Sequence, residues 1–408
     1  MKVLHINAAE YGSTGKIISN ISDYVYSRGG TSVLCAPKIT KESTPSLKKY
    51  QVSMPYEQGI YRRISYLTGI PYGFAPVSTL KIFKTIKKEK PDVVHLHSIN
   101  GKVVNIYKLL KFLKKRNIPT LVTNHAEFLY TGSCSYSEEC TKWQSGCGKC
   151  PMLKKSTGSK FFDRTHTAWT KMKNAFSDFD RLTIVSVSDW VKDRSASSPI
   201  LCNYENVTVL NGVDTNVFNL PDDYFKTNRD HKIILHVTSF FSDDVQSIKG
   251  GAFLIELAKR FIGENVKFVV AGPHGVNGEL PENITLLGPI SDQAKLAELY
   301  RIADLTVLTS KRETFGMAVA ESMCCGTPVV GFKCGGSESI SISEHSQFVE
   351  FGNVDLLEEI VKGRWLNYKE SGNMFKISND AIVKYSGERM AFEYFDLYLK
   401  LLGEKQAK

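Results

Sequence analysis

Short apolar runs recur along the chain, each followed by a polar turn and then a stretch whose apolar residues fall at helical spacing. The first, Lys2 to Ile6, leads through a glycine-rich turn into a helix predicted near Ile17 to Tyr26. Ser32–Ala36, Val93–Leu96, Thr120–Thr123 and Leu182–Val187 continue the series. A second series begins at Lys232–Val237 and runs through Val266–Ala271, Ile284–Leu287, Leu305–Leu308 and Val329–Phe332. Runs that are apolar at nearly every position read as strands covered on both faces. Their alternation with helices predicts a doubly wound α/β protein built on parallel sheets. The turn signal Asn211-Gly-Val-Asp214 separates the two series and divides the chain into predicted domains 1–210 and 211–387. An aromatic helical tail follows from about Glu388 to the end, 388–408 (ERMAFEYFDLYLKLL). There is no short-period repeat and no low-complexity linker.

The segment with the most chemistry is SKRETFGMAVAESMCCGTPVVGF, Ser310 to Phe332. It predicts a strand end, a polar turn carrying Glu313, and a helix that opens at about Thr314 and carries Glu321. Gly326-Thr327-Pro328 then stops the helix before the next strand. Such a turn lies at the carboxyl edge of a parallel sheet, where open α/β folds bind ligands. Backbone N–H groups of Phe315 and Gly316 at a helix N-terminus suit an anion. Gly316 leaves room for close approach, and both glutamates can reach hydroxyl groups. Two acids beside a helix would by themselves read as solvated side chains; Thr-Phe-Gly after Glu313 and Gly-Thr-Pro after Glu321 favour a ligand site.

This paired-glutamate segment resembles the signature of the retaining nucleotide-sugar glycosyltransferases of family four. The resemblance covers nearly the whole chain, strongly over Lys232 to Phe332 and more loosely before it. It implies the GT-B fold, two Rossmann-like domains facing a cleft, with the last helix crossing back to the first domain. It also implies that Glu313 with Phe315 and Gly316 lies near the donor sugar, and that Glu321 holds the nucleotide ribose. Lys249, just before Gly250-Gly251, matches the family's diphosphate-binding lysine; a fixed cation there would stabilise charge on the departing phosphate. The family's upstream arginine is missing: Ser239 or Phe240 stands nearest its place, and Arg312 is the basic residue that could substitute. The turn Leu287-Gly-Pro-Ile290 is similar to the one whose backbone reads the nucleotide base, which makes Ile290 a donor-binding position.

Tyr11-Gly-Ser-Thr-Gly-Lys-Ile17 suggests a phosphate-binding P-loop but lacks it: Glu10 stands where glycine is needed and Ile17 where a magnesium-binding hydroxyl is needed. By resemblance this turn approaches the donor phosphates and acceptor, with Gly15 as the site residue; otherwise it is a plain strand-to-helix turn. His125, after the strand Leu121–Thr123, matches a family histidine near the reacting sugar, although Ala126-Glu127 follows where an aspartate is common. A histidine at a strand end is otherwise most often a structural hydrogen-bonder. His95 and His97 share one face of a strand end, and no acidic partner supports a metal there.

At 408 residues the chain is long enough for two full cores, and 42% hydrophobic with 23% charged residues describes a soluble globular protein. No apolar run approaches the roughly 20 residues that span a bilayer, and the first strand is no signal peptide. A cytoplasmic location is expected. Charge is uneven: 31 Lys+Arg against 14 Asp+Glu through Ile200, and 21 against 28 beyond it. The basic runs Lys81–Lys90 and Lys108–Arg116 suit peripheral contact with an anionic membrane, at its inner face. The bland alternative is a solvated helix face. Nucleic acid is not an expected partner, because no aromatic residues interleave with these runs.

Four of the nine cysteines, Cys134, Cys140, Cys147 and Cys150, crowd into 131–151. Their spacing fits a closed structural zinc site, against disulfides or free thiols. The stretch resembles a cysteine-rich insertion in a subset of the family, similar to bacterial surface-polysaccharide glycosyltransferases of the colanic-acid type. The resemblance therefore implies a hexosyltransferase acting with retention. Its donor is a nucleotide-sugar, UDP- or GDP-linked. Its acceptor is a saccharide or lipid-linked saccharide in polysaccharide, lipopolysaccharide or exopolysaccharide synthesis, and no cofactor is required for the chemistry. The rival expectations are a sugar-nucleotide epimerase of the same fold and an inactive zinc-containing adaptor for membrane or nucleic acid.

Overall fold

The structure is a computed structural model and describes residues 1–159, 161–224 and 229–403. The chain divides into two units, Met1–Leu210 with the residues from Met390 onward, and Asn211–Arg389.

Among the described residues the first unit is built on seven strands: β1 (Lys2–Ile6), β2 (Thr31–Ala36), β3 (Leu47–Gln51), β4 (Val93–Leu96), β5 (Thr120–Asn124), β6 (Leu182–Ser186) and β7 (Asn206–Thr208). All pair in parallel, in the order β3-β2-β1-β4-β5-β6-β7. The central strands are buried almost throughout, which is why they read as largely apolar runs. Helix Gly12–Ser27 presents Ile17, Ile21 and Val25 to the sheet, where they meet Val3, Val93, Leu121 and Val185. The C-terminal helix Gly387–Leu402 adds Met390, Tyr394, Leu397 and Tyr398 to the same core.

Among the described residues the second unit has six strands: β8 (Lys232–Val237), β9 (Val266–Ala271), β10 (Ile284–Gly288), β11 (Leu305–Leu308), β12 (Val329–Phe332) and β13 (Ser346–Val349). They too are parallel, in the order β10-β9-β8-β11-β12-β13. Ile234, Phe268, Val307 and Val330 form the sheet side of a core closed by Leu254, Leu257, Phe261 and Trp365.

In both units the strand order reverses direction beside the first strand, between β1 and β4 and between β8 and β11. Loops leaving neighbouring carboxyl ends part company there and open a crevice, the usual ligand position in such sheets. No helix among the described residues is long and apolar enough to cross a membrane.

The helix expected to open at Thr314 begins at Met317 instead. Glu313 forms an isolated parallel bridge with Gly335 and stays extended, so a contact from the neighbouring loop delays the helix.

Candidate active site

The switch point of the second unit joins residues far apart in the chain. Lys249 follows β8 and Glu313 follows β11, and Lys249 Nζ lies 2.6 Å from Glu313 Oε1. Each side chain is 20% exposed, so the pair sits at a rim that water still reaches. Its backbone is stitched in place: Lys311 N–H donates to the Ile248 carbonyl at 2.8 Å. Gly250 is left-handed (φ 66°), and a Cβ there would stand 1.9 Å from the Thr309 carbonyl oxygen. Only glycine lets the lysine loop lie this close to the end of β11.

Glu313 is held from the other side. Its N–H donates to the Cys334 carbonyl at 3.0 Å, and its own carbonyl accepts from Gly336 N–H at 2.8 Å. Glu338 pins that second loop by accepting from the N–H groups of Cys334 (2.9 Å) and Gly335 (2.7 Å). Gly316 then turns left-handed (φ 89°), and a Cβ on it would meet Ser337 Oγ at 2.3 Å. The helix Met317–Cys324 starts directly after it, with no side-chain cap among the described residues. Its first-turn N–H groups and dipole face the edge where Lys249 and Glu313 meet, a setting that suits a phosphate. Phe315 is buried beneath the turn. On the same helix Glu321 accepts from the Tyr300 hydroxyl at 3.2 Å. Burial and the nearby Glu321 charge hold that phenol well above its ordinary range, so it remains a donor.

Ile290 follows β10 at the same edge. Three strand spacings separate β10 from β11, roughly 14 Å, a span that suits the base at one end of a nucleotide and the phosphates at the other. Arg312 is half-buried beside Glu313. The brace Gly335-Gly336-Ser337 was not among the expected site residues. Its signal was there to read, a glycine pair two residues beyond the apolar run of β12, after Lys333-Cys334.

In the first unit Gly15 lies in the first turns of helix Gly12–Ser27, with the Glu10 carbonyl oxygen 2.4 Å from where a Cβ would stand. Close packing of that turn accounts for the glycine without a ligand. His125 follows β5 and is half-buried, and burial lowers its pKa to about 4, so it is neutral near pH 7. His97 Nδ1 lies 3.3 Å from its Nε2. A cavity of about 690 Å³ opens at the opposite, amino-terminal end of β6, around Arg181, Leu182 and Tyr204, remote from His125 at the carboxyl edge.

All four clustered cysteines are free thiols. Burial, with neighbouring thiols adding to it, pushes Cys134 and Cys147 up to about 12. Backbone at Gly146, Cys147, Gly148 and Lys149 is left-handed in succession, a tight knuckle. Among the described residues, however, the groups whose potential ligand atoms lie within 4.8 Å of one another are His5/His95/His97 and Glu344/His345/Asp380, and the thiols form no such group.

Residues 226–376 match the family described as glycosyl transferases group 1. A putative colanic acid biosynthesis glycosyl transferase of Escherichia coli K12, WcaC, is 21% identical over 342 residues, 79% of this chain and 80% of that protein. Sucrose-phosphate synthase from Thermosynechococcus elongatus superposes with a TM-score of 0.72 at 14% identity, over 99% of both chains. Anabaena HepE, solved with UDP-glucose, superposes with a TM-score of 0.64 at 14% identity, over 98% of this chain and 100% of that one. The second unit therefore carries a glycosyl transferases group 1 domain, in a chain of two Rossmann-like parallel-sheet units with GT-B glycosyltransferases as its structural neighbours.

Proposed function

We propose that this chain is a retaining glycosyltransferase that moves a hexose-type sugar from a nucleotide-diphosphate donor to a saccharide or lipid-linked saccharide in bacterial surface polysaccharide synthesis. The observation that carries the reading is the Lys249–Glu313 pair, 2.6 Å apart at the sheet edge where helix Met317–Cys324 begins. WcaC, named for colanic acid biosynthesis, and HepE, solved with UDP-glucose, support it.

In the proposed reaction the bond between the sugar's anomeric carbon and the diphosphate oxygen breaks, and a bond to the acceptor oxygen forms on the same face. The acceptor's proton passes to the departing phosphate oxygen. Lys249 and the N–H groups around Phe315 and Gly316 stabilise the charge growing on that phosphate. Glu313 orients sugar hydroxyls, Glu321 accepts from the ribose, and Ile290 meets the base. The turn at Gly15 approaches the donor phosphates and acceptor, and His125 serves the reacting face of the sugar.

The test is a thermal-shift panel of UDP-, GDP-, ADP- and dTDP-sugars on wild type, Lys249→Ala and Glu321→Ala, followed by product analysis with oligosaccharide acceptors. A ligand at 100 times its Kd adds about 2.7 kcal/mol of stability. Stabilisation by one nucleotide class, lost in both variants, with a product of retained configuration, supports the proposal. No shift with any donor overturns it, and epimerised donor without transfer replaces it with the epimerase.

Two further parts belong to this proposal. The exposed Lys84, Lys87, Lys88, Lys108, Lys111 and Lys115 on helices Pro76–Glu89 and Ile106–Lys115, joined by the Phe83–Phe112 stack at 4.0 Å, form a cationic face for an anionic membrane. Sedimentation with anionic vesicles should fall steeply with salt, and equal binding to neutral vesicles would dismiss it. Cys134, Cys140, Cys147 and Cys150, whose thiols form no three-atom ligand group within 4.8 Å in this structure, would have to draw together to hold the structural zinc that orders the acceptor loop; elemental analysis should find one zinc per chain, lost in Cys147→Ser, and its absence from wild type would dismiss the site.

A further inference from the structure

The first unit buries a group of histidines that the proposed reaction does not use. His5 on β1 stands opposite His95 on β4 in the parallel register, and His97 lies just past the end of β4. All three are fully buried. Two strings of hydrogen bonds run through them. In one, His5 Nδ1 lies 3.0 Å from His97 Nε2, and His97 Nδ1 lies 3.3 Å from His125 Nε2. In the other, the Tyr398 hydroxyl meets His95 Nδ1 at 2.7 Å, and His95 Nε2 meets Thr123 Oγ1 at 2.8 Å. Tyr394 continues it, with its hydroxyl 3.1 Å from Thr123 Oγ1. The second string ties the C-terminal helix to His95, whose ring packs 3.8 Å, centroid to centroid, from that of His97.

Both nitrogens of His95 are thus occupied and His5 shares a proton with His97, so the group reads as a hydrogen-bonded network. Burial holds His5 down to about 3 and His125 to about 4, and keeps His95 and His97 well below the ordinary histidine range. Each ring is therefore neutral and carries a single N–H. This gives the string a direction. Among the described residues His5 Nε2 has no hydrogen-bond partner, and a proton placed there would be an orphan donor in the core. Orphaned buried N–H groups are rarer than under-used acceptors. The His5 proton then sits on Nδ1 and is donated to His97 Nε2. His97 carries its proton on Nδ1 and donates it to His125 Nε2.

We propose that His5 and His97 are positioning residues that lock His125 in the Nδ1–H tautomer, with its Nε2 closed by His97. His125 can then offer a hydrogen bond only through Nδ1, and it cannot accept a proton at Nε2 without breaking the string. Its meaning for catalysis rests on the transfer reaction proposed above. There it makes His125 an orienting donor and leaves the acceptor's proton to the departing phosphate.

The test reads the tautomer directly. The full chain is labelled with ¹⁵N-histidine, and long-range ¹H–¹⁵N correlations of the imidazoles are recorded near neutral pH, with assignment by single substitutions. His97 and His125 should show protonated Nδ1 and bare Nε2. In His5→Asn, the amide stands where Nδ1–H was, and His125 should keep its tautomer. In His5→Phe, which removes the donor, His125 should lose the pure Nδ1–H pattern and become a mixture. A wild-type His125 protonated at Nε2 overturns the proposal, as does an unchanged His125 in His5→Phe. Should His5→Phe fail to fold, the wild-type and His5→Asn spectra decide. Because the spectra need no ligand, their outcome is independent of the nucleotide panel.

Discussion

Lys249 and Glu313 neutralise each other at the sheet edge, and a diphosphate entering that edge must share or displace the carboxylate. Removing the two partners should therefore affect nucleotide binding in different ways. At 2.6 Å and an effective dielectric near 20, the gross attraction is about 6 kcal/mol. Most of it is offset by lost hydration, so cutting the pair should cost the ligand-free protein about 1–2 kcal/mol, between exposed and buried pairs. Lys249→Met keeps the apolar stem, removes the cation, and leaves Glu313 facing the incoming phosphates. Loss of one charge-assisted hydrogen bond, about 1.5–3 kcal/mol, should weaken nucleoside diphosphate binding roughly 10- to 150-fold. Glu313→Gln keeps the shape and releases Lys249 from a competing charge. The nucleoside diphosphate should then bind as well as before or up to about tenfold tighter, while sugar transfer falls on the order of 100-fold for want of a carboxylate against the sugar. Titration calorimetry with the nucleotide selected by the thermal-shift panel, beside urea unfolding of each variant, measures both effects. If Glu313→Gln weakens the nucleoside diphosphate as much as Lys249→Met does, the pair is only a brace between two loops, and the assignment of Lys249 to the phosphate fails.

Gly316→Ala would place a Cβ 2.3 Å from Ser337 Oγ at a left-handed backbone position, for a loss of about 2–4 kcal/mol in urea unfolding. Adding Ser337→Gly should recover the clash and leave the backbone cost of about 1–2 kcal/mol; no recovery would show that the two loops do not touch there. The buried histidines make stability depend on pH in one direction. His5 and His236 fall to about 3 and about 4 in the fold, below the unfolded value of 6.5, so the unfolded chain binds more protons as the pH drops below that value. Each should cost about 2 kcal/mol by about pH 5; denaturation midpoints that stay flat from neutral pH to that point would contradict their burial as neutral rings.

The buried strands were legible because a strand covered on both faces is apolar at most positions, as Val93–Leu96 and Leu305–Leu308 are with His95 and Thr306 their single polar residues. Three strands escaped the same rule. Leu47–Gln51 and Asn206–Thr208 form the two edges of the first sheet, and Ser346–Val349 forms an edge of the second. An edge strand turns one side to water, so a segment such as LKKYQ carries the composition of a loop. Lys249 and Glu313 were readable one at a time, because each follows an apolar run at a turn. Their meeting across 64 residues depends on β8 and β11 being neighbours at the switch point, which follows once the fold class is granted. His5 is the opposite case. A single histidine inside an apolar strand looks like a satisfied core residue, and its partner His97 lies 92 residues away. Only the order β1-β4-β5 sets the ends of those strands side by side and lines up His5, His97 and His125. Local pattern reports how deeply a strand is buried and where its turn falls; which polar group it meets is decided by strand order, a property of the whole sheet. Residues that act through a neighbouring strand are therefore the ones a single sequence hides, and His5 is such a residue.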